Sequence, residues 1–145
     1  MGLESMNRVG LVSLVGVCAY EILSLITLWL FTTAIFVFLF EVAETGFNRF
    51  FLQLILWLVA GAYFVRCWMT TGQTLAAQAW KLRVVSESGE PLTMVQAISR
   101  YVLASFSLFS FGLGFLWAIL DKETLFLHDR MLKTRLIKVL PITQS

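Results

Sequence analysis

The sequence predicts an all-α membrane protein built as a bundle of three membrane-embedded helical segments. Hydrophobic residues make up 59% of the 145 residues and charged residues only 14%, whereas soluble domains have about 45–50% and about 25%. A chain this short cannot bury so much apolar surface in a core of its own, so lipid must solvate much of it. The net charge of +2 gives no indication of a nucleic-acid partner.

The three apolar segments lie at about residues 17–40, 50–70 and 95–120. At about 1.5 Å per residue, each is long enough for a hydrocarbon core about 30 Å thick. Aromatic residues near the segment ends, such as Trp68 and Trp80, are typical of anchors at the membrane interface. Residues 1–145 are therefore predicted to form a single membrane domain.

The loop over residues 71–94 differs in character from the segments on either side of it. Leu75–Trp80 predicts a short amphipathic helix, and Leu82–Val85 predicts a strand. A second β-like run, Arg135–Val139, occurs in the basic tail that spans residues 121–145. We therefore expect a small two-stranded β element on the cytoplasmic side.

The third apolar segment starts at a clear helix signal, since Thr93 and Gln96 have the spacing of a capping box. Its far end is ambiguous. The basic loop 71–94 is expected in the cytoplasm with the N-terminus, but three crossings would place the equally basic tail outside. Either the third segment crosses and violates the charge rule, or it bends near Ser110–Gly114 and returns. We favour a cytoplasmic tail.

Glu21 is the most informative single residue, because it is the one charge inside the first apolar segment. A charged side chain within a bilayer is costly, so it should face the bundle or be protonated. One interpretation is a proton or cation site. The other is a carboxyl group that neighbouring helices hold by hydrogen bonds and that fixes the register of the bundle.

The only histidine, His128, lies among acidic residues after the third segment. A metal site there would lack a second imidazole or thiolate nearby, so we favour a charge cluster that caps the segment and orders the tail. The sequence contains no phosphate-binding loop, nucleophile elbow or other enzyme motif, and we expect neither enzymatic activity nor a cofactor. The candidate functional residues are Glu21, Arg100, Asp121, His128, Asp129 and Arg130.

The order of these motifs resembles that of the RDD family, small bacterial membrane proteins named for one arginine and two aspartates. The match is best over Gly72–Val139, and its motif residues include Gly72, Gln73, Thr74, Arg83, Pro91, Arg100, Asp121, His128, Asp129 and Thr134. Tyr20-Glu21 stands where the family has its first aspartate, and Asp129 matches the second. The family's early arginine has no counterpart at the expected distance before Glu21, where Ser13 and Leu14 stand.

The resemblance implies a multi-pass protein of the bacterial inner membrane. Two functional hypotheses follow. The first is a small cation or proton transporter, or a transport-associated subunit, in which Glu21 titrates; three segments are too few to enclose a pathway, so this requires a homo-oligomer or a partner membrane protein. The second is a non-catalytic scaffold or assembly factor that binds partner helices. In both, the lipid bilayer is the main contact.

Overall fold

The computed structural model of the protein describes residues 9–40, 46–110, 116, 117, 120 and 127–139. The chain is mostly helical, with one small sheet. The helices and strands are, in chain order, α1 (Leu11–Phe40), α2 (Gly46–Thr70), α3 (Leu75–Ala79), β1 (Leu82–Ser86), α4 (Met94–Phe109), α5 (Leu127–Leu132) and β2 (Thr134–Lys138).

Within the described ranges, two helices are long and apolar enough to cross a membrane, α1 and α2. They pack against each other in opposite directions. The ring of Phe36 near the end of α1 lies 6.4 Å from that of Phe51 near the start of α2. The first two apolar segments are thus found as helices, although α2 begins at Gly46, earlier than the sequence predicted.

The two strands form an antiparallel sheet in which Val84 lies opposite Leu136. Together with α3 and α5 they make a compact unit, which we call the lobe. Because hydrogen-bonded strands lie side by side, β1 and β2 must be on the same side of any bilayer that α1 and α2 cross. The predicted β element is confirmed, and its formation supports the alternative in which the tail returns to the side of the loop 71–94.

The lobe packs alongside the first turns of α1 rather than beyond the end of that helix. Leu82 of β1 is fully buried in this contact, and the ring of Trp80 lies directly on Gly16, where a larger residue would collide with it. The buried apolar residues of the contact are Val9, Leu14, Val17, Ala76, Ala77 and Leu82. The position of the lobe relative to α1 is therefore fixed by tight apolar packing.

Helix α4 begins with the predicted capping box, in which Thr93 and Gln96 exchange hydrogen bonds between side chain and backbone. It runs back along α2, and the hydroxyl of Tyr101 donates a hydrogen bond of 2.7 Å to the carbonyl of Trp57. It ends at Phe109, with its C-cap at Ser110. Its 16 residues span about 24 Å, less than a hydrocarbon core of about 30 Å.

One continuous helix over residues 95–120 is thus not found, and Gly114 lies outside the described residues. Helix α5 packs against α4 and leads into β2. The end of α4 falls where the sequence allowed a bend. Helix α5 itself was not predicted from the sequence.

The strand pairing predicts which positions share a side of the membrane. In a variant without Cys18 and Cys67, single cysteines replacing the exposed Ser88 and Lys138 should react with an impermeant maleimide in the same preparation, either intact spheroplasts or inverted vesicles. Gly46→Cys, at the other end of α2, should react in the opposite preparation. Labelling of Lys138→Cys together with Gly46→Cys would contradict the described topology.

Candidate functional site

The segment Gly72-Gln73-Thr74 links the end of α2 to the lobe through its backbone. Gly72 adopts a left-handed conformation with φ of 70°, which favours glycine, and its carbonyl accepts a 2.7 Å hydrogen bond from the N–H of Val84. The amide of Gln73 donates a 2.7 Å hydrogen bond to the carbonyl of Leu82. These two residues therefore position β1 relative to α2.

Thr74 connects the lobe to α1. Its hydroxyl accepts a 3.1 Å hydrogen bond from the N–H of Ala77, which caps α3, and donates a hydrogen bond to Oε1 of Glu21. The threonine is 1% exposed, so this bond is shielded from water. Oε2 of Glu21 is also buried, and it has no hydrogen-bond partner among the described residues. One oxygen of the carboxyl group is thus held while the other remains available.

Glu21 lies one helical turn beyond Val17, where the apolar contact between the lobe and the first turns of α1 ends. The first turns of α1, up to Val17, are covered by the lobe. The remaining residues 18–40 would span about 34 Å, slightly more than a hydrocarbon core of about 30 Å. Glu21 thus lies near one end of the stretch that can cross a bilayer, where a carboxylate is less costly than at the centre.

Arg100 and Asp129 form the strongest polar contact among the described residues. Nε and Nη2 of Arg100 donate hydrogen bonds of 2.6 and 3.1 Å to the two oxygens of Asp129. Exposure is 4% for the arginine and 0% for the aspartate. The geometry is bidentate, which is the arrangement that best offsets the loss of hydration of two buried charges.

Further groups complete this ion pair. The guanidinium group of Arg100 lies 4.4 Å from the ring centre of Trp68, a cation–π contact with α2. The hydroxyl of Thr134 donates a 3.0 Å hydrogen bond to Asp129. The pair therefore ties α4 and α5 to both α2 and β2.

His128 is buried beside the pair, with Nε2 3.8 Å from Oδ1 of Asp129. Burial lowers its pKa from the ordinary 6.5 to about 4, and Arg100 acts in the same direction, against the opposing influence of Asp129. The imidazole is therefore neutral near pH 7. Among the described residues, no group of three potential ligands is placed to hold a metal ion.

The cluster has an unbalanced charge. Arg100 acts electrostatically on Glu21, but its guanidinium group is already engaged by Asp129. With both carboxyl groups ionised and His128 neutral, the three charges sum to −1. A proton or a monovalent cation at Glu21 would neutralise the cluster.

The structure brings Glu21 together with Thr74, and Arg100 with Asp129 and His128. Arg83 and Arg130 are exposed at the surface of the lobe, and Asp121 lies outside the described residues. Sequence reasoning had placed Trp68 at the membrane interface, but it is 6% exposed and packs on Arg100. Thr134 is one of the residues on which the resemblance to the family rests. Its contact with Asp129 could not be deduced from the position of Thr134 in the chain.

The sequence model of the RDD family matches residues 13–133, most of the chain. This chain belongs to the RDD family. The matched range includes Glu21, Thr74, Arg100 and Asp129, which make the two polar contacts described above. No curated protein and no solved structure matches the chain.

The buried ion pair predicts an asymmetric response to mutation. Asp129→Ala leaves the charge of Arg100 buried without its partner and should destabilise the protein by roughly 3–5 kcal/mol. The double variant Arg100→Met/Asp129→Leu removes both charges and should be more stable than Asp129→Ala. Thermal unfolding in detergent measures this, with the exposed Glu90→Gln as control. A double variant less stable than Asp129→Ala would show that the pair contributes more than charge compensation.

The lowered pKa of His128 predicts a pH dependence of stability. The unfolded chain binds a proton as the pH falls below 6.5, whereas the folded protein resists protonation until about pH 4. The stability contributed by the neutral imidazole is therefore complete above 6.5 and lost as the pH falls towards 4, by about 3 kcal/mol. The unfolding temperature of wild type should fall more over this interval than that of His128→Gln. Parallel pH profiles would contradict this assignment.

Proposed function

We propose that this RDD-family protein is a non-enzymatic, multi-pass protein of the bacterial inner membrane that binds and passes protons or monovalent cations at Glu21. The observation that carries the proposal is the buried Oε2 of Glu21, which has no hydrogen-bond partner among the described residues while Thr74 holds Oε1. A carboxylate at the edge of a membrane segment is a common feature of proton and ion pathways.

The hydrogen bond from Thr74 gives this carboxyl group a defined orientation. Because Thr74 is the N-cap of α3 and is tied to the sheet by Gly72 and Gln73, a change in the charge of Glu21 acts on the lobe directly. A proton or cation that binds Oε2 would weaken the attraction between the carboxylate and the hydroxyl group. Occupancy of Glu21 is in this way coupled to the contact between α1 and α3.

The bundle is too small to enclose a pathway, so the proposed activity requires an oligomer or a partner membrane protein. Only Leu14, Val17 and Phe36 of the 30 residues of α1 are buried. Large exposed side chains between these positions are available to lipid and to other helices. They include Leu30 and Phe31, each 68% exposed. A second copy or another subunit would complete the wall of a pathway beside Glu21.

The proposed orientation places the lobe and the N-terminus in the cytoplasm. The lobe contains the basic residues of the loop and tail, and the positive-inside rule assigns such segments to the cytoplasmic side. The third segment then enters the bilayer as α4 and returns to the lobe without crossing. With this orientation the basic loop and the basic tail are on the same side of the membrane, so both obey the positive-inside rule.

A scaffold function is the alternative, and the exposure of α1 favours it. A helix that buries 3 of 30 residues within its own chain has ample apolar surface for partner helices. In that case Glu21 and Thr74 would serve only to fix the lobe on α1. A transporter needs the charge of Glu21 for its activity, whereas a scaffold needs Glu21 only for the stability of the fold.

The test of the transport proposal is Glu21→Gln, which retains the shape and the acceptor for Thr74 but cannot ionise. In proteoliposomes with a pH-sensitive dye inside, wild type should give cation-dependent proton flux, whereas Glu21→Gln should give the background of protein-free vesicles. The control is Thr27→Val, in the same helix, which loses only a hydrogen bond to the carbonyl of Leu23.

Unfolding temperature and chromatographic profile should be measured for both variants. If Glu21→Gln is folded and its flux equals that of wild type, the transport proposal is wrong. The scaffold function is supported instead if wild type gives no flux but co-purifies with a membrane protein, and if the variant Leu30→Asn/Phe31→Asn, at the surface of α1, loses that protein.

A further inference from the structure

The lobe consists of two similar halves, each a short helix followed by a strand. In the first, Lys81 joins α3 to β1, and in the second, Lys133 joins α5 to β2. Both lysines have left-handed backbones, with φ of 53° and 54°. Two residues further on, the halves carry Arg83 and Arg135, so an approximate twofold axis through the sheet relates the two pairs of cations.

The two arginines share one face of the sheet, which also carries the buried Val85. Arg83 lies opposite Ile137 and Arg135 lies opposite Val85 in adjacent pairs of the same face, because side chains alternate along a strand. The opposite face, with Val84 and Leu136, packs on the bundle. Both arginines are exposed, and neither is in an ion pair within the described part of the chain.

The surface of the lobe is strongly basic. Among the described residues of the lobe and its turn, two acidic residues are exposed, Glu87 and Glu90. The exposed cations there are Lys81, Arg83, Arg130, Lys133, Arg135 and Lys138. A group of four to eight cations directly beside a membrane helix typically binds anionic lipid. The proposed transport site on Glu21 does not use any of these six residues.

The lobe packs beside the start of α1 and the end of α2, which lie at the same end of this helix pair. It packs beside α1 up to Val17, and β1 contacts Phe64 and Trp68 in the last turns of α2. The stem of Arg83 passes over Gly72, directly after α2. The interfacial layer on one side of a bilayer is about 5–8 Å thick, so a unit packed beside the helix ends lies within and just above it.

Exposed apolar side chains occur both in the lobe and at the start of α4, which follows β1 in the chain. Met94 and Val95, in the first turn of α4, are 59% and 74% exposed, and Met131 of α5 is 64% exposed. Apolar side chains beside cations are typical of protein surfaces that sit at the boundary between headgroups and acyl chains. The combination favours lipid over a soluble acidic partner, which would leave these side chains in water.

We propose that the basic face of the lobe, centred on Arg83 and Arg135, binds the phosphate groups of anionic phospholipids in the leaflet that surrounds it. The two arginines supply planar donors suited to phosphate oxygens. The lysines at the two helix–strand junctions extend this surface on either side. The lobe thereby holds the ends of α1 and α2 at a fixed depth.

The test measures lipid binding to the full-length protein in neutral detergent by native mass spectrometry. Phosphatidylglycerol should bind more tightly than phosphatidylcholine of the same chain length, and the preference should shrink as ionic strength rises. The double variant Arg83→Gln/Arg135→Gln should bind phosphatidylglycerol about 25-fold more weakly, since each cation near an anionic surface contributes about a factor of five.

Two variants serve as controls. Arg83→Lys/Arg135→Lys retains both charges and should keep most of the binding, and Arg49→Gln, at the other end of α2, should leave it unchanged. Because both arginines are exposed, the unfolding temperature of the Gln variant should match that of wild type. Equal binding of the two lipids by wild type, or an undiminished preference in the Gln variant, would overturn the proposal. Displacement of the lipid by millimolar inorganic phosphate would also overturn it, by indicating a site for a free anion.

Discussion

The buried ion pair between Arg100 and Asp129 holds the membrane segments and the lobe together. Arg100 extends from α4 and contacts Trp68 of α2, while Asp129 in α5 accepts a hydrogen bond from Thr134 of β2. Four elements therefore meet at two charges. Burying them is costly, and the penalty is offset only while both partners and their hydrogen bonds are present. The return of the chain from α4 to the lobe is needed for this contact to form.

The lobe and the membrane helices depend on each other for different physical reasons. The sheet has only two short strands, and such a sheet is marginal in water without a surface to cover it. The ends of α1, α2 and α4 provide that surface. In return, the ring of Trp80 in the lobe covers Gly16 of α1, and the hydroxyl of Thr74 donates a hydrogen bond to Glu21. The polar contact at Glu21 and the apolar contact at Gly16 lie on the same helix, little more than one turn apart.

The sequence predicted the helices and strands well where local patterns decide them. The capping box at Thr93 and the strand at Leu82 could be predicted, because apolar spacing and side-chain hydrogen bonding act over a few residues. Helix α5 could not be predicted, since a six-residue helix is stabilised by tertiary packing rather than by its own propensity. Composition marked the long apolar run before α5 as membrane-embedded but could not show where its helix ends.

The candidate site was predictable as a set of residues but not as a set of contacts. Glu21 stood out as a lone charge, and the family motif drew attention to Thr74, Arg100 and Asp129. Which carboxyl group pairs with Arg100 depends on the return of the chain, and spacing alone does not define it. Trp68 was assigned to the interface because aromatic residues are common there, but a buried cation beside it gave the ring a different role.

The distance along the chain between Arg100 and its partner has a consequence for biosynthesis. Asp129 follows Arg100 by 29 residues, so at about 5–20 residues per second the ribosome needs about 1–6 s to add it. During that time α4 has an arginine without its counter-ion, and β1 has no strand to pair with. The ion pair that joins α4 to α5 can therefore form only after both of these helices have been synthesised. Pairing of β1 with β2 is a still later step, because β2 follows α5 in the chain.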